Sequence, residues 1–204
     1  EERKKIPKSD PKNYVYKIIL NSTYGLSNDK NSFLYDPEFT MRITINGQLS
    51  LCMLYEMIME GIPNATPIMH NTDGLETIIP RGYQDKYMEI CKEWEDATNL
   101  QLEHDTYQKV ILGDVNNYIA VKEYSEVHKD IYNDIKYSNP HDLFKEENGK
   151  FYHASTKCKG RFEFSNLALH KNKSFLVIPK AIYNYFVHGI DPEKFITEHQ
   201  NILD

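Results

Sequence analysis

Residues 67–80 (PIMHNTDGLETIIP) constrain the fold of this chain more than any other stretch. Four turn formers, Asn71-Thr72-Asp73-Gly74, separate two β-prone runs, Ile68-Met69 and residues 75–79. Largely apolar, β-prone flanks around an Asx/Gly turn predict a hairpin. Its tip carries Asp73, held by ladder bonds between strands rather than by a loose loop. A carboxylate placed that way suits a hard cation such as Mg²⁺, which takes oxygen ligands in a strict octahedral arrangement. The alternative is that Asp73-Gly74 is a turn dipeptide and nothing more.

Helix signals flank the hairpin. Asp10-Pro11 follows a polar lead-in (residues 1–9) and supplies an N-cap with a first-turn proline. Residues 13–24 continue in helical pattern and should stop at Gly25. Lys17, Asn21 and Tyr24 fall at i, i+4 and i+7 and share one face with Tyr14. Val15, Ile18, Ile19 and Ser22 point elsewhere, toward apolar neighbours. Asp36-Pro37 repeats the cap ahead of a long helix over residues 38–60, closed by Gly61 and Pro63. Ile45, Leu49, Cys52, Met53 and Met57 are its expected core positions. Residues 83–97 read as an amphipathic helix with Tyr87, Ile90, Cys91 and Trp94 on one side, stopped by Asn99-Leu100.

Beyond it, residues 100–121 are β-rich, with Val110-Ile111-Leu112 and Tyr118-Ile119-Ala120-Val121 as apolar runs. Residues 124–149 read as a polar insertion with one helix, and residues 156–164 as a strand. Residues 175–178 lead into Pro179. A helix over 180–188 ends at Gly189, and Asp191-Pro192 caps a last helix through Ile202. Without strict β-α-β alternation, the expected class is α+β, an antiparallel sheet backed by helices.

At 204 residues the chain is long enough for one large domain or a domain with an appendage. Its apolar and charged fractions, 40% and 26%, fit a soluble globular protein, and no run of about 18 apolar residues predicts a membrane partner. The charged start, Glu1-Glu2-Arg3-Lys4-Lys5, lacks the apolar core of a signal peptide. Cys52, Cys91 and Cys158 are scattered and form no CxxC, which argues for a reducing, intracellular setting. A net charge of −6 opposes a strongly basic nucleic-acid binder. Between residues 150 and 180, however, Lys150, Lys157, Lys159, Arg161, Lys171, Lys173 and Lys180 face one acid, Glu163. Such asymmetry permits a phosphate-binding face on an acidic body; a solvated charged surface is the plainer alternative.

Residues 17–25, KIILNSTYG, closely resemble the fingers-helix signature of family B DNA polymerases, K-x-x-x-N-S-x-Y-G. Asn71-Thr72-Asp73-Gly74 is similar to that family's second catalytic carboxylate motif, D-T-D-S. Between them Ile43-Thr44-Ile45-Asn46-Gly47-Gln48 resembles its I-T-x-x-G-Q/R helix. Val115-Asn116-Asn117-Tyr118 stands where the family has a short basic run ending in tyrosine, and Lys157-Cys158-Lys159-Gly160 resembles its K-x-K-G element. Five matches in the family's order are far more specific than any one. The resemblance points to the viral or phage type. It implies a palm-like antiparallel sheet backed by helices, a fingers helix at the N-terminus and a small, mainly helical thumb part at the C-terminus. The implied spans are 1–30 for the fingers helix portion, 31–122 for the palm, 123–155 for an insertion or palm–thumb connection, and 156–204 for the start of the thumb.

The implied activity is template-directed DNA synthesis, with primer-template DNA and dNTP as partners and two Mg²⁺ ions as cofactors. By resemblance Asp73 is the catalytic metal ligand, with the Asn71 carbonyl beside it. Lys17 contacts the incoming triphosphate and Asn21 supports the same pocket. Tyr24 and Gly25 lie against the nascent base pair. Asn116, Asn117 and Tyr118 meet DNA near the primer terminus, while Lys157, Lys159 and Arg161 bind duplex phosphates without reading sequence. Two departures stand out. Asn71 replaces the first acid of D-T-D, and Asn116-Asn117 replace the basic run. The family's first catalytic Asp motif and its exonuclease motifs do not occur in these residues. The chain is therefore expected to be the C-terminal part of a polymerase, inactive alone and partnered by the upstream part that carries the first catalytic Asp. Two other readings stand beside it: a noncatalytic nucleic-acid-binding module derived from a polymerase, and a hydrolase using His70 with Asp73. The hydrolase reading lacks a Ser or Cys nucleophile beside that pair.

Overall fold

The computed structural model describes residues 2–7, 10–139, 141–165, 167 and 176–199. The chain forms two units, Glu1–Leu102 and Glu103–Asp204, and the division falls inside the span 31–122. Among the described residues it is a mixed α/β protein whose strand pairings are all antiparallel.

The first unit contains helices α1 (Pro11–Ser27), α2 (Pro37–Gly61) and α3 (Gln84–Thr98), with strands β1 (Thr66–His70) and β2 (Leu75–Ile78) between the last two. Both Asp-Pro pairs cap their helices as expected. The Asp10 carboxylate accepts the Lys12 N–H at 2.8 Å, and that of Asp36 accepts the Phe39 N–H at 2.9 Å. The polar lead-in holds a 3₁₀ turn, Glu2–Lys5, pinned by Asn13, whose side chain donates to the Ile6 carbonyl at 2.7 Å. Gly25 does not end α1. The helix continues to Ser27, and the Asn28 N–H closes it on the Gly25 and Leu26 carbonyls.

The core of this unit lies between α2 and α3, where Leu54, Ile58 and Ile62 meet Ile90, Cys91 and Trp94. The Trp94 indole N–H donates to the Ser50 carbonyl at 2.7 Å and sets the depth of α3 against α2. At Gly61 the helices come so close that a Cβ would lie 2.6 Å from Ile90 Cδ1. The expected core positions of α2 are corrected here: Ile45, Leu49, Cys52 and Met53 are exposed, Leu49 by 61%. Apolar residues occur around most of α2, so periodicity alone does not tell which stripe α3 covers. On α1 the expected apolar neighbours are also missing: Val15 and Ile19 are 54% and 57% exposed, and only Asn13 and Ser27 are buried.

The second unit holds two small sheets. β3 (Tyr107–Asp114), β4 (Asn117–Lys122) and β8 (Thr156–Cys158) form one in the order β3-β4-β8. β5 (Ser125–Val127), β6 (Leu143–Glu147) and β7 (Lys150–Ala154) form the other in the order β5-β7-β6. Helix α4 (Lys129–Ser138) sets the Tyr132 ring against those of Phe144 and Phe151 at 5.4 and 4.9 Å. Residues 124–149 hold one helix, as expected, with a short strand on either side of it. The expected strand over 156–164 stops at Cys158, because Gly160 takes φ +63° and opens a 3₁₀ turn, Gly160–Phe162. Helix α5 (Val177–Tyr183) passes into a π-helical stretch, Asn184–His188, ended by Gly189 at φ +71°. Asp191 caps α6 (Pro192–Glu198). Lys171, Lys173, Phe175 and Ile202 lie outside the described residues. Ile119, Val121, Ala154, Cys158, Phe162 and Tyr183 make the core.

Candidate functional site

The hairpin forms as its turn chemistry predicts. Pairing runs from Thr66 opposite Ile78 to His70 opposite Leu75, with a register shift between Pro67 and Met69. The Asn71 N–H donates to the Gly74 carbonyl at 2.8 Å, and the Asn71 side-chain oxygen accepts the Thr72 N–H at 2.7 Å. Met69 is buried, and the His70 ring meets Tyr55 edge-on at 4.9 Å. These contacts anchor the strands, leaving Asp73 exposed at the apex with no side-chain hydrogen bond among the described residues. Its carboxylate oxygens are available to a cation. Asn71, however, offers an amide oxygen already engaged by Thr72, and no group of three His, Cys, Asp or Glu among the described residues could hold a metal. Asp73 and Asn71 do not by themselves make a site for two Mg²⁺ ions. The His70 side chain makes no hydrogen bond among the described residues, to a hydroxyl or thiol or to any other group.

On α1, Lys17, Asn21, Tyr24 and Gly25 are all exposed, and a side chain at Gly25 would meet nothing within 4 Å. The helix carrying them lies beside the stretch of α2 that holds residues 43–48. The Tyr24 hydroxyl and Thr44 Oγ1 are 2.9 Å apart, and the Ser27 and Thr40 hydroxyls 2.7 Å. Two of the motifs therefore meet through the Tyr24–Thr44 hydroxyl pair, with the Ser27–Thr40 pair beside it. Lys17 has no hydrogen bond or ion pair among the described residues, so its ammonium faces solvent.

In the second unit two further motifs, remote in sequence, are joined by strand pairing. β4 pairs with β8 so that Ile119 stands opposite Cys158 and Ala120 opposite Lys157, and the Lys159 N–H donates to the Tyr118 carbonyl at 2.9 Å. Tyr118 is only 3% exposed; the Lys157 and Lys159 ammonium groups lie 5.9 and 5.8 Å from its ring centre. Contact between an aromatic ring and each cation is electrostatically favourable and draws both ammonium groups toward Tyr118. Asn117 donates to the Asp114 carboxylate at 2.7 and 2.9 Å and accepts the Arg161 backbone N–H at 2.7 Å. Motif spacing does not mark Asp114 as a member of this cluster. An acid two residues ahead of an Asn-Asn turn is the local signal that could have found it.

Cys158, Cys91 and His141 are buried. Burial pushes the Cys158 thiol up to about 12 and raises Cys91 as well, so neither is a ready nucleophile. Burial also pushes His141 below the ordinary histidine value, although Asp142 and Glu163 pull it back in part. His141 is 4% exposed, hydrogen bonds through Nε2 to the Ser165 hydroxyl and receives Cys158 Sγ at 3.7 Å from Nδ1.

No family model matches the chain, and no solved structure matches it. No helix is long and apolar enough to cross a membrane among the described residues. Among curated proteins, it matches the catalytic subunit of DNA polymerase epsilon from Eremothecium gossypii, with 26% identity over 151 residues. That match covers 74% of this chain and 7% of the relative's length. It lends nothing to the viral or phage type. The chain is similar to a short stretch of the catalytic subunit of a family B DNA polymerase.

Proposed function

We propose that these residues are part of a family B DNA polymerase and serve template-directed nucleotidyl transfer from dNTP to a primer 3′-hydroxyl. The observation that carries the reading is the β4–β8 pairing, which sets Lys157 and Lys159 over Tyr118 in a chain similar to part of a DNA polymerase. Lys157, Lys159 and Arg161 form a cationic row for duplex phosphates, whose affinity weakens with salt. Lys17 and Asn21 meet the triphosphate, and Tyr24 with Gly25 offers an aromatic plate and an open backbone to the base pair. Asp73 contributes one carboxylate to the metal centre. Magnesium, when bound, would polarise the phosphate and lower the charge repulsion to attack. The remaining carboxylates belong to residues outside these 204, the partner being the part of the polymerase that carries the first catalytic Asp.

The test is Asp73→Ala in the intact protein that contains this chain. Primer extension is expected to fall by on the order of a thousandfold, several kcal/mol of lost transition-state stabilisation, with duplex affinity unchanged. Unaltered turnover would remove the catalytic assignment. A second reading, a noncatalytic nucleic-acid-binding module, is favoured by Asn71, whose amide oxygen is committed to Thr72. An intact protein that binds duplex yet extends no primer in magnesium selects that reading.

A further inference from the structure

Asp114 ends β3, and three groups donate to its carboxylate. The Asn116 N–H does so at 3.0 Å, the Asn117 side-chain amide at 2.7 and 2.9 Å, and the Arg161 guanidinium at 3.4 Å. Asn117 in turn accepts the Arg161 backbone N–H, so Asp114, Asn117 and Arg161 close a ring of hydrogen bonds between the β3–β4 turn and the segment after β8. Gly160 seals the same junction. It sits at φ +63°, and a Cβ there would lie 2.3 Å from Asn117 Oδ1 and 2.4 Å from the Asn116 carbonyl oxygen. The Arg161 guanidinium is also held over the Phe162 ring, 5.5 Å from its centre.

An acid among cations intended for phosphate has two possible consequences. As a bare charge it weakens anion binding. As a bracket it fixes where the cations stand, and a fixed array binds better than a floppy one because less side-chain freedom is lost on contact. We propose that Asp114 is a positioning residue for phosphate binding, locking the β3–β4 turn to residues 159–161 so that Lys157, Lys159 and Arg161 act as one rigid unit. The proposal rests on the reading of this face as duplex-binding. Its second observation is the electrostatic state of the carboxylate itself: the Asn117 amide, then the Asn116 N–H, with Arg161 adding, hold it below the usual aspartate value.

The two consequences have opposite signs, which makes the test decisive. With the intact protein that contains this chain and a fluorescently labelled duplex, binding is followed by anisotropy over a series of salt concentrations. Asp114→Asn is expected to bind about tenfold more weakly near ~0.1 M salt, with a log–log salt slope shallower by about one, as if one phosphate contact were lost. Equal or tighter binding, the outcome for a bystander charge, overturns the proposal. Gly160→Ala opens the junction without altering charge and is expected to match Asp114→Asn; full affinity there also overturns it. Because either variant can misfold, the unaltered protein supplies a further measurement. The Asp114 carboxyl carbon, followed by NMR, should titrate below an ordinary aspartate, and an ordinary titration contradicts the lock. Failure of the unaltered protein to bind duplex sinks the duplex-binding reading and this proposal together, whereas binding unmoved by both variants removes only the role of Asp114.

Discussion

At Gly61 one added methyl group sets two effects against each other. Alanine favours a helix over glycine by about 1 kcal/mol in an interior position, and by less at the last residue, where Gly61 stands. The new Cβ would lie 2.6 Å from Ile90 Cδ1, and Ile90 is buried with little room to turn aside. Overpacking of this kind costs about 1–3 kcal/mol. Gly61→Ala is therefore expected to destabilise the first unit by about 1–2 kcal/mol, measured by denaturant unfolding, and adding Ile90→Val should restore part of the loss by removing Cδ1. A neutral or stabilising result would contradict the closeness of α2 and α3. Individual residues are legible in the sequence where their chemistry is local. Asp73 stands out because its turn is written in four consecutive residues, and Asp10 and Asp36 because each cap acts on the next turn. Asp114 is legible only in part: its Asn116 and Asn117 partners follow from the local turn, while the third, Arg161, arrives through strand pairing from another part of the chain.

Whole elements follow the same rule. Caps, stops and turn residues announce the three helices of the first unit and the β1–β2 hairpin. They do not announce the buried stripe of α2, since apolar residues on several sides give no local reason for Leu54 and Ile58 to be chosen over Leu49 and Met53. The docking of α3 through Ile90, Cys91 and Trp94 makes that choice. Gly25 shows the limit of a stop signal: with no left-handed backbone at that residue the helix passes through it and ends shortly after, at Ser27. In the second unit, β5, β6 and β7 are hidden because their charged, short sequences lack apolar alternation. The hairpin between β6 and β7 does carry a signal, the Asn148-Gly149 pair, whose φ angles of +53° and +74° suit a two-residue turn. The junction of motif-bearing strands β4 and β8 depends on pairing between segments far apart in the chain, which no local pattern encodes.

Across the molecule the two units differ in which protons they resist. In the second, His141 and His188 are pushed below the ordinary value by burial, and Asp105 and Asp114 are lowered by hydrogen bonds, foremost from Lys122 and Asn117. The unfolded chain then binds protons that the folded unit refuses. Stability is lost as pH falls, first below the histidine reference of 6.5 and then below the aspartate reference of 3.8. In the first unit Tyr87, Cys91, Lys86 and Lys92 are moved upward, and these titrate in alkali. Acid should therefore unfold the second unit before the first. Trp94, the chain's one tryptophan, reports the first unit alone. On acidification far-UV ellipticity is expected to decline before the Trp94 emission shifts, and coincident transitions would refute the asymmetry. The left-handed turn at Asn148-Gly149 has a consequence for the ageing of the protein. An exposed asparagine followed by glycine lets the next backbone nitrogen attack the side-chain carbonyl, shedding ammonia through a succinimide, whereas Asn46-Gly47 is held inside α2, where that nitrogen is committed to the helix. Peptide mapping of stored material should find isoaspartate at Asn148 well ahead of Asn46, and each such event inserts an extra backbone carbon into the link between β6 and β7.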